Sequence, residues 1–153
     1  MALAYATSDR GACHRRAMPV EREAFAGPWP PERAAAAVAR AQTRRSAWWC
    51  LVADDFLGRA LIDDGAAWLD TLDPAPQGDP AALGERVWTL TRLFNVREGV
   101  TRADDALPTT VTTPLSDGPN AGRAVDRDRF ERMLDAYYAR RGWGPRGRPT
   151  RAL

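Results

Sequence analysis

The side chains with most chemical potential stand together near the start of the chain, in Ala6-Thr7-Ser8-Asp9-Arg10-Gly11-Ala12-Cys13-His14-Arg15-Arg16. This stretch holds the only histidine and one of the two cysteines. An imidazole titrates near neutral pH, so His14 could give or take a proton, and Gly11 in a loop would let it approach a substrate. A lone histidine is nevertheless more often a structural or surface residue. Cys13 could act as a nucleophile if a base lowered its pKa, yet consecutive residues point apart in an extended loop, which disfavours a Cys13–His14 pair.

Other candidate groups are weaker. Asp54-Asp55 and Asp63-Asp64 offer carboxylates for a metal, but aspartates near a helix end more commonly cap it or face water. Cys13 and Cys50 form neither a disulfide framework nor a paired-cysteine metal motif, so two reduced thiols are expected, with Cys50 buried in a helix.

The elements that must hold these groups are helical. Met1 to Ala6 reads as the last turns of a helix already under way, because no capping signal precedes its apolar residues, which suggests that the chain is a fragment. Residues 7–29 are punctuated by Gly11, Pro19, Gly27, Pro28 and Pro30 and read mostly as loop. Pro30, Pro31 and Glu32 then open an alanine-rich helix, with Val38, Ala41, Trp48 and Val52 as its stripe through about Asp55 and Gly58 as its stop. A short helix is expected over about 66–72.

Asp79-Pro80 pairs an N-cap with proline at the first helical position. Leu83, Val87, Leu90 and Phe94 follow at helical spacing, which predicts one buried face of a helix ending near Gly99. Residues 100–124, rich in proline and threonine, read as an extended surface crossing. A last helix over about 127–141 places Phe130, Met133, Leu134, Tyr137 and Tyr138 on one face, with Gly142 as its stop. The fold class predicted is all-α, an irregular helical bundle with long loops, in one domain over residues 1–153.

Composition narrows the function classes. The chain of 153 residues carries 22 basic residues, every one arginine, against 20 Asp and Glu, for a net charge of +2. Acids interspersed with the arginines argue against a nucleic-acid surface. No apolar run reaches the roughly 18 residues of a membrane span, and no secretory signal opens the chain, so a soluble cytoplasmic protein is expected, with neither membrane nor nucleic acid as partner.

Several stretches together resemble the C-terminal part of the aldehyde ferredoxin oxidoreductase family. Ala4-Tyr5-Ala6-Thr7-Ser8-Asp9-Arg10-Gly11-Ala12-Cys13-His14 is similar to the family's segment leading to an active-site histidine. The run from Gly84-Glu85-Arg86-Val87-Trp88 through Leu93-Phe94-Asn95-Val96-Arg97-Glu98-Gly99 is similar to a long family signature. Asp104-Asp105, Leu107-Pro108, Gly118-Pro119, Gly122, the stretch Phe130 to Trp143 and Pro149-Thr150 follow in the family's order.

The resemblance implies an enzyme with a tungsten bis-pyranopterin and a 4Fe-4S cluster, which converts an aldehyde and water to a carboxylic acid and passes electrons to ferredoxin. It implies His14 as a catalytic, proton-handling residue and Arg16 as a pterin contact. Asp55, Gly58 and Arg59 fall in the family's Asp-x-x-Gly-x-Cys pterin-binding motif, in which Ala60 replaces the cluster-ligating cysteine. A methyl group cannot ligate iron, so no metal ligand is assigned here.

On this reading the missing N-terminal region, in the same chain or as a separate subunit, supplies the remaining pterin and cluster contacts, and the isolated chain is inactive. The alternative is a non-catalytic truncated remnant or a helical interaction protein. The substrate aldehyde, and tungsten as against molybdenum, are not specified by these residues.

Overall fold

The computed structural model describes residues 1–50, 52 and 79–150, apart from the side chain of Glu21. The predicted 66–72 helix and the positions from Asp54 to Asp64 lie outside the described residues. The described chain is helical, as expected, and carries no strand, only isolated bridges such as Trp143 to Pro149. In chain order come α1 (Ala2–Ala6), α2 (Val20–Ala26), α3 (Pro31–Trp49), α4 (Pro80–Arg97), a 3₁₀ helix (Arg102–Asp105), α5 (Thr109–Thr112) and α6 (Arg127–Arg141). Among them no helix is long and apolar enough to cross a membrane.

Local sequence accounts for most boundaries. The Asp79 carboxylate accepts the Ala81 N–H at 3.0 Å, and Pro80 occupies the first turn of α4, where its missing N–H costs nothing. Asp126 caps α6 by accepting the Arg129 N–H at 2.6 Å. Gly142 ends α6 in the left-handed region, φ 66°, where a side chain would be strained.

Three segments differ from expectation. Within 100–124, read as an extended crossing, Thr101 caps the 3₁₀ helix Arg102–Asp105 and Thr109–Thr112 form α5 after Pro108. Residues 20–26 form α2 within the predicted loop, because Pro19, φ −71°, pre-sets the first turn and no glycine or proline interrupts the seven residues that follow it. Helix α3 stops at Trp49 rather than near Asp55: bonds from the Cys50 N–H to Ala47 O and from the Val52 N–H to Trp49 O tighten its end into shorter turns. Val52, with φ 55° and 93% exposure, is no part of the buried stripe. Cys50 is likewise exposed rather than buried.

α3 and α6 pack as the centre of the molecule, with α4 against α3 and α1 lying across both. Phe130, Met133, Leu134, Tyr137 and Tyr138 are all buried, as their spacing predicted. Complete burial of a leucine such as Leu134 contributes about 1.5–3 kcal/mol. The Trp143 ring meets Tyr137 edge to face, 5.7 Å between centroids and 88° between planes.

The buried face of α4 is not the predicted one. Gly84, Trp88 and Arg92 point inward, while Leu90 and Phe94 are 55% and 54% exposed. The helix is turned by close approach: an ideal Cβ on Gly84 would lie 2.0 Å from the Thr43 carbonyl oxygen of α3 and 3.2 Å from the Ala47 Cβ. Trp88 then reaches the core, where its Nε1 donates to the Tyr137 hydroxyl at 2.8 Å.

Arg92 can be buried because Asp105 meets it with both oxygens, at 2.8 and 2.7 Å, while its Nε donates to Gly147 O at 2.9 Å. The Tyr138 hydroxyl also donates to Asp105. Burial beside that carboxylate pushes the Tyr138 phenol well above its ordinary pKa. The 3₁₀ helix and the C-terminal tail are thereby fixed to the same buried charge.

The close contact at Gly84 yields a stability prediction. Gly84→Ala should destabilise the fold by about 1–3 kcal/mol through overpacking, despite alanine's better helix propensity. Chemical denaturation followed by circular dichroism measures this, and an unchanged or raised midpoint would contradict the α3–α4 contact.

Candidate functional site

The loop after α1 hangs from the core by its first residue. Thr7 is buried; its hydroxyl donates to Leu3 O at 2.7 Å and accepts from Gln42 Nε2 of α3 at 3.1 Å. Two residues on, Asn95 of α4 donates its side-chain amide to the Asp9 carbonyl at 2.7 Å. The loop is therefore attached to α3 and to α4 before it reaches Cys13, His14 and Arg16.

Asp9 then turns its carboxylate toward Arg16, whose Nε donates at 2.7 Å. Both side chains are mostly buried, at 15% and 13% exposure, so the pair is less screened than a surface ion pair. The other face of the Arg16 guanidinium lies over the Trp49 ring, 3.0 Å from its centroid. An arginine gripped at its edge and its face is held in one orientation, with its remaining N–H groups free of the Asp9 bond.

His14 lies exposed in the turn that leads to Arg16. Cys13 is half-buried, and its Sγ accepts from the Arg10 Nη2 at 3.4 Å rather than pairing with His14. Burial raises the Cys13 thiol pKa, but the Arg10 hydrogen bond and charge, together with main-chain donors at Arg15 and Arg16, outweigh it and leave the thiol below its ordinary value. Cys50, although exposed as a residue, sets its sulfur 3.3 Å from Ser46 O, and desolvation pushes its thiol up.

The structure thus brings two of the sequence-predicted site residues, His14 and Arg16, into one turn. Asp55, Gly58, Arg59 and Ala60 lie outside the described residues. Sequence reasoning missed Asn95 and Trp49 as partners of the loop. Asn95 was visible only as a polar residue inside the Gly84–Gly99 signature, and nothing in the spacing of Arg16 and Trp49 announces a stacked pair. Between the loop and the stretch Arg92–Pro108 lies a cavity of about 500 Å³, lined by Asp9, Arg10, Asn95, Asp104 and Asp105 among others.

Among the described residues no group of three or more His, Cys, Asp or Glu side chains could hold a metal ion. A four-iron cluster needs four thiolates, and the whole chain has two cysteines, so this chain's residues do not fit the cluster. They do fit one polar edge of a pterin: the guanidinium of Arg16, oriented by Asp9 and Trp49, offers a donor fork, and His14 stands exposed two residues before it in the chain.

Comparison with known proteins gives a consistent answer. A family model described as aldehyde ferredoxin oxidoreductase, domains 2 and 3, matches residues 1–153. The tungsten-containing aldehyde ferredoxin oxidoreductase of Pyrococcus furiosus is 31% identical over 164 residues, which cover 95% of this chain and 26% of that protein. The protein of the same name from Thermococcus kodakarensis is 29% identical, covering 97% of this chain and 26% of the relative. The chain spans about a quarter of the length of the curated relatives it matches.

Two measurements probe the loop. Asn95→Ala should speed hydrogen exchange at the amides of residues 9–16 while leaving α6 protected; unchanged exchange would show that the Asn95 bond does not order the loop. Near neutral pH, Cys13 should be alkylated faster than Cys50, with the difference closing as pH rises above both thiol pKa values and shrinking in Arg10→Gln. Mass spectrometry of partly alkylated protein reads this directly, and faster labelling of Cys50 would refute it.

Proposed function

Because the chain belongs to the aldehyde ferredoxin oxidoreductase family, we propose that it forms the C-terminal helical part of a tungsten-pterin enzyme that oxidises an aldehyde to a carboxylic acid. The observation that carries the reading is the loop in which Arg16 is held between Asp9 and Trp49, with His14 exposed two residues before it. Residues 1–153 act here as one helical unit of a larger catalytic assembly, placed in the cytoplasm with ferredoxin as electron acceptor.

Tungsten pterin, when bound, supplies the two-electron chemistry by which an aldehyde and water become a carboxylic acid, two electrons and two protons. This chain's contribution is to hold and move protons and to orient. His14, whose imidazole is exposed, is the group suited to accept one of the released protons and pass it to water. Arg16 binds a polar edge of the pterin, and its confinement by Asp9 and Trp49 means little rotamer freedom is lost on binding. Asp55, Gly58 and Arg59 are assigned to the same pterin by their place in the motif.

The cluster belongs to residues outside this chain, and the remaining pterin contacts belong to the region that supplies it. Ala60, in place of the cluster cysteine, favours a second reading, a non-catalytic remnant of such an enzyme.

One experiment separates the two. The chain alone should contain neither tungsten nor iron; stoichiometric tungstopterin on it would overturn the division of labour above. Combined with the polypeptide that carries the missing region, it should support aldehyde-dependent viologen reduction. His14→Ala should then lower kcat by about 10²–10⁴, the usual worth of a positioned acid or base, with tungsten content unchanged. A metal-loaded assembly with no such activity supports the remnant, and full activity in His14→Ala removes the assigned proton role.

A further inference from the structure

We propose that the outward face of α4 is the surface on which the polypeptide carrying the missing cluster-binding region of the enzyme docks. Val87, Leu90 and Phe94 follow Leu83 by four, seven and eleven positions, which sets all four within roughly 60° of one another around the helix axis. They form a stripe turned away from Gly84, Trp88 and Arg92, the face that packs on α3. Leu83 and Val87 are half-buried, while Leu90 and Phe94 remain 55% and 54% exposed.

This distribution is the reverse of that in an ordinary surface helix, which lays its apolar stripe on the core and turns polar side chains to water. Here the inward face holds a glycine, a tryptophan and an arginine, and the outward stripe is entirely apolar. An exposed stripe of this kind marks a surface that another polypeptide covers. Arg86 is exposed beside it, and Arg97, its side chain 71% exposed, stands over the Phe94 ring with Glu98 as its ion-pair partner at 3.1 Å. The rim is therefore mainly basic, which fits an apolar patch edged by carboxylates on the partner.

Two further observations bear on what covers the stripe. The curated relatives are matched over only 26% of their length, so most of such an enzyme has no counterpart in these 153 residues. Asn95 lies in the same turn of α4 as Phe94 and holds the loop of His14 and Arg16 through the Asp9 carbonyl, at 2.7 Å. A polypeptide seated on Leu90 and Phe94 therefore lies against the helix turn that anchors the loop, where the remaining pterin contacts are required. A second copy of this chain would repeat the same residues without supplying those contacts. The inference rests on the reading of the chain as one part of a larger enzyme, and it names the surface by which that part joins the rest.

The test reads association rather than turnover, so that the surface and the enzyme reading can fail separately. The full chain, with the photoreactive benzoylphenylalanine in place of Leu90, is expressed together with the polypeptide that carries the missing region and irradiated. A cross-link to that polypeptide, located by mass spectrometry, is expected; a cross-link to a second copy of this chain, or none, overturns the proposal. In sedimentation of the two-polypeptide mixture, Leu90→Asp and Phe94→Gln should each weaken association by about tenfold or more. Phe25→Gln on α2, which removes a still more exposed aromatic side chain, should leave it unchanged. An equal loss in Phe25→Gln indicates general apolar adhesion, and undiminished association in both α4 variants removes this surface while leaving the enzyme reading in place. An assembly that cross-links at Leu90 but oxidises no aldehyde keeps the surface and sinks the enzyme reading. Circular dichroism of each variant checks that the helices remain, and Phe94→Gln carries the test where Leu90→Asp does not fold.

Discussion

The structure depends on one buried amide, that of Gln42. It sits fully enclosed in the middle of α3, where an unpaired amide would carry a large desolvation cost. Its oxygen accepts from the Tyr137 hydroxyl at 2.7 Å and from Arg141 Nη2 at 3.1 Å, and its nitrogen donates to Thr7. The Tyr137 hydroxyl accepts in turn from Trp88 and from Arg141 Nε at 3.2 Å. Four segments, α3, α4, α6 and the root of the loop after α1, therefore share a single polar network. Removing any member leaves the others buried and unsatisfied, so the network specifies the arrangement as well as stabilising it.

Burial of charge follows the same rule. Arg141 is nearly enclosed, yet its donors reach Ala39 O, Thr43, Glu85, Gln42 and Tyr137. Arg92 is answered by Asp105 and Gly147, and the hydrogen bonds and charge of Asp105 overcome desolvation to keep its guanidinium pKa above the ordinary value. Each arginine ties a remote segment to the helical centre: Arg141 joins α6 to α3 and α4, and Arg92 joins α4 to the 3₁₀ helix and the tail. An apolar contact could hold these segments together, but it would fix neither their register nor the orientation of the loop ends.

How much of this was legible in the sequence depended on whether a signal was local. The caps at Asp79 and Gly142 and the buried face of α6 were readable because a cap or a helical stripe is written within a few residues. The face of α4 was misread for the opposite reason. Leu83, Val87, Leu90 and Phe94 form the more apolar stripe, but Gly84 permits a backbone contact with Thr43 that no scale of hydrophobicity contains. Arg92 reads as a surface residue until Asp105, supplied by a different segment, makes its burial affordable. At the site, His14 and Arg16 could be named from the family pattern, whereas Asn95 and Trp49 act across long sequence separations and emerged only in three dimensions.

The arginines also show how one residue type can be sorted by what answers it. A guanidinium keeps its charge at any ordinary pH, so it cannot escape an unfavourable site by losing a proton. Arg92 and Arg141, deep in the protein, are met by acceptors on nearly every side, and their work is internal. Arg16 is met on one edge by Asp9 and on one face by Trp49, which fixes the group while leaving other donors unspent by that pair. Orientation without full saturation is the condition for a residue that must bind something else at little entropic cost. The loop is thus tied to the helices through Thr7 and Asn95, while the exposed His14 lies at its tip, two residues before Arg16. Among the described residues, that single edge and single face distinguish Arg16 from Arg92 and Arg141, whose donors are answered by several segments at once.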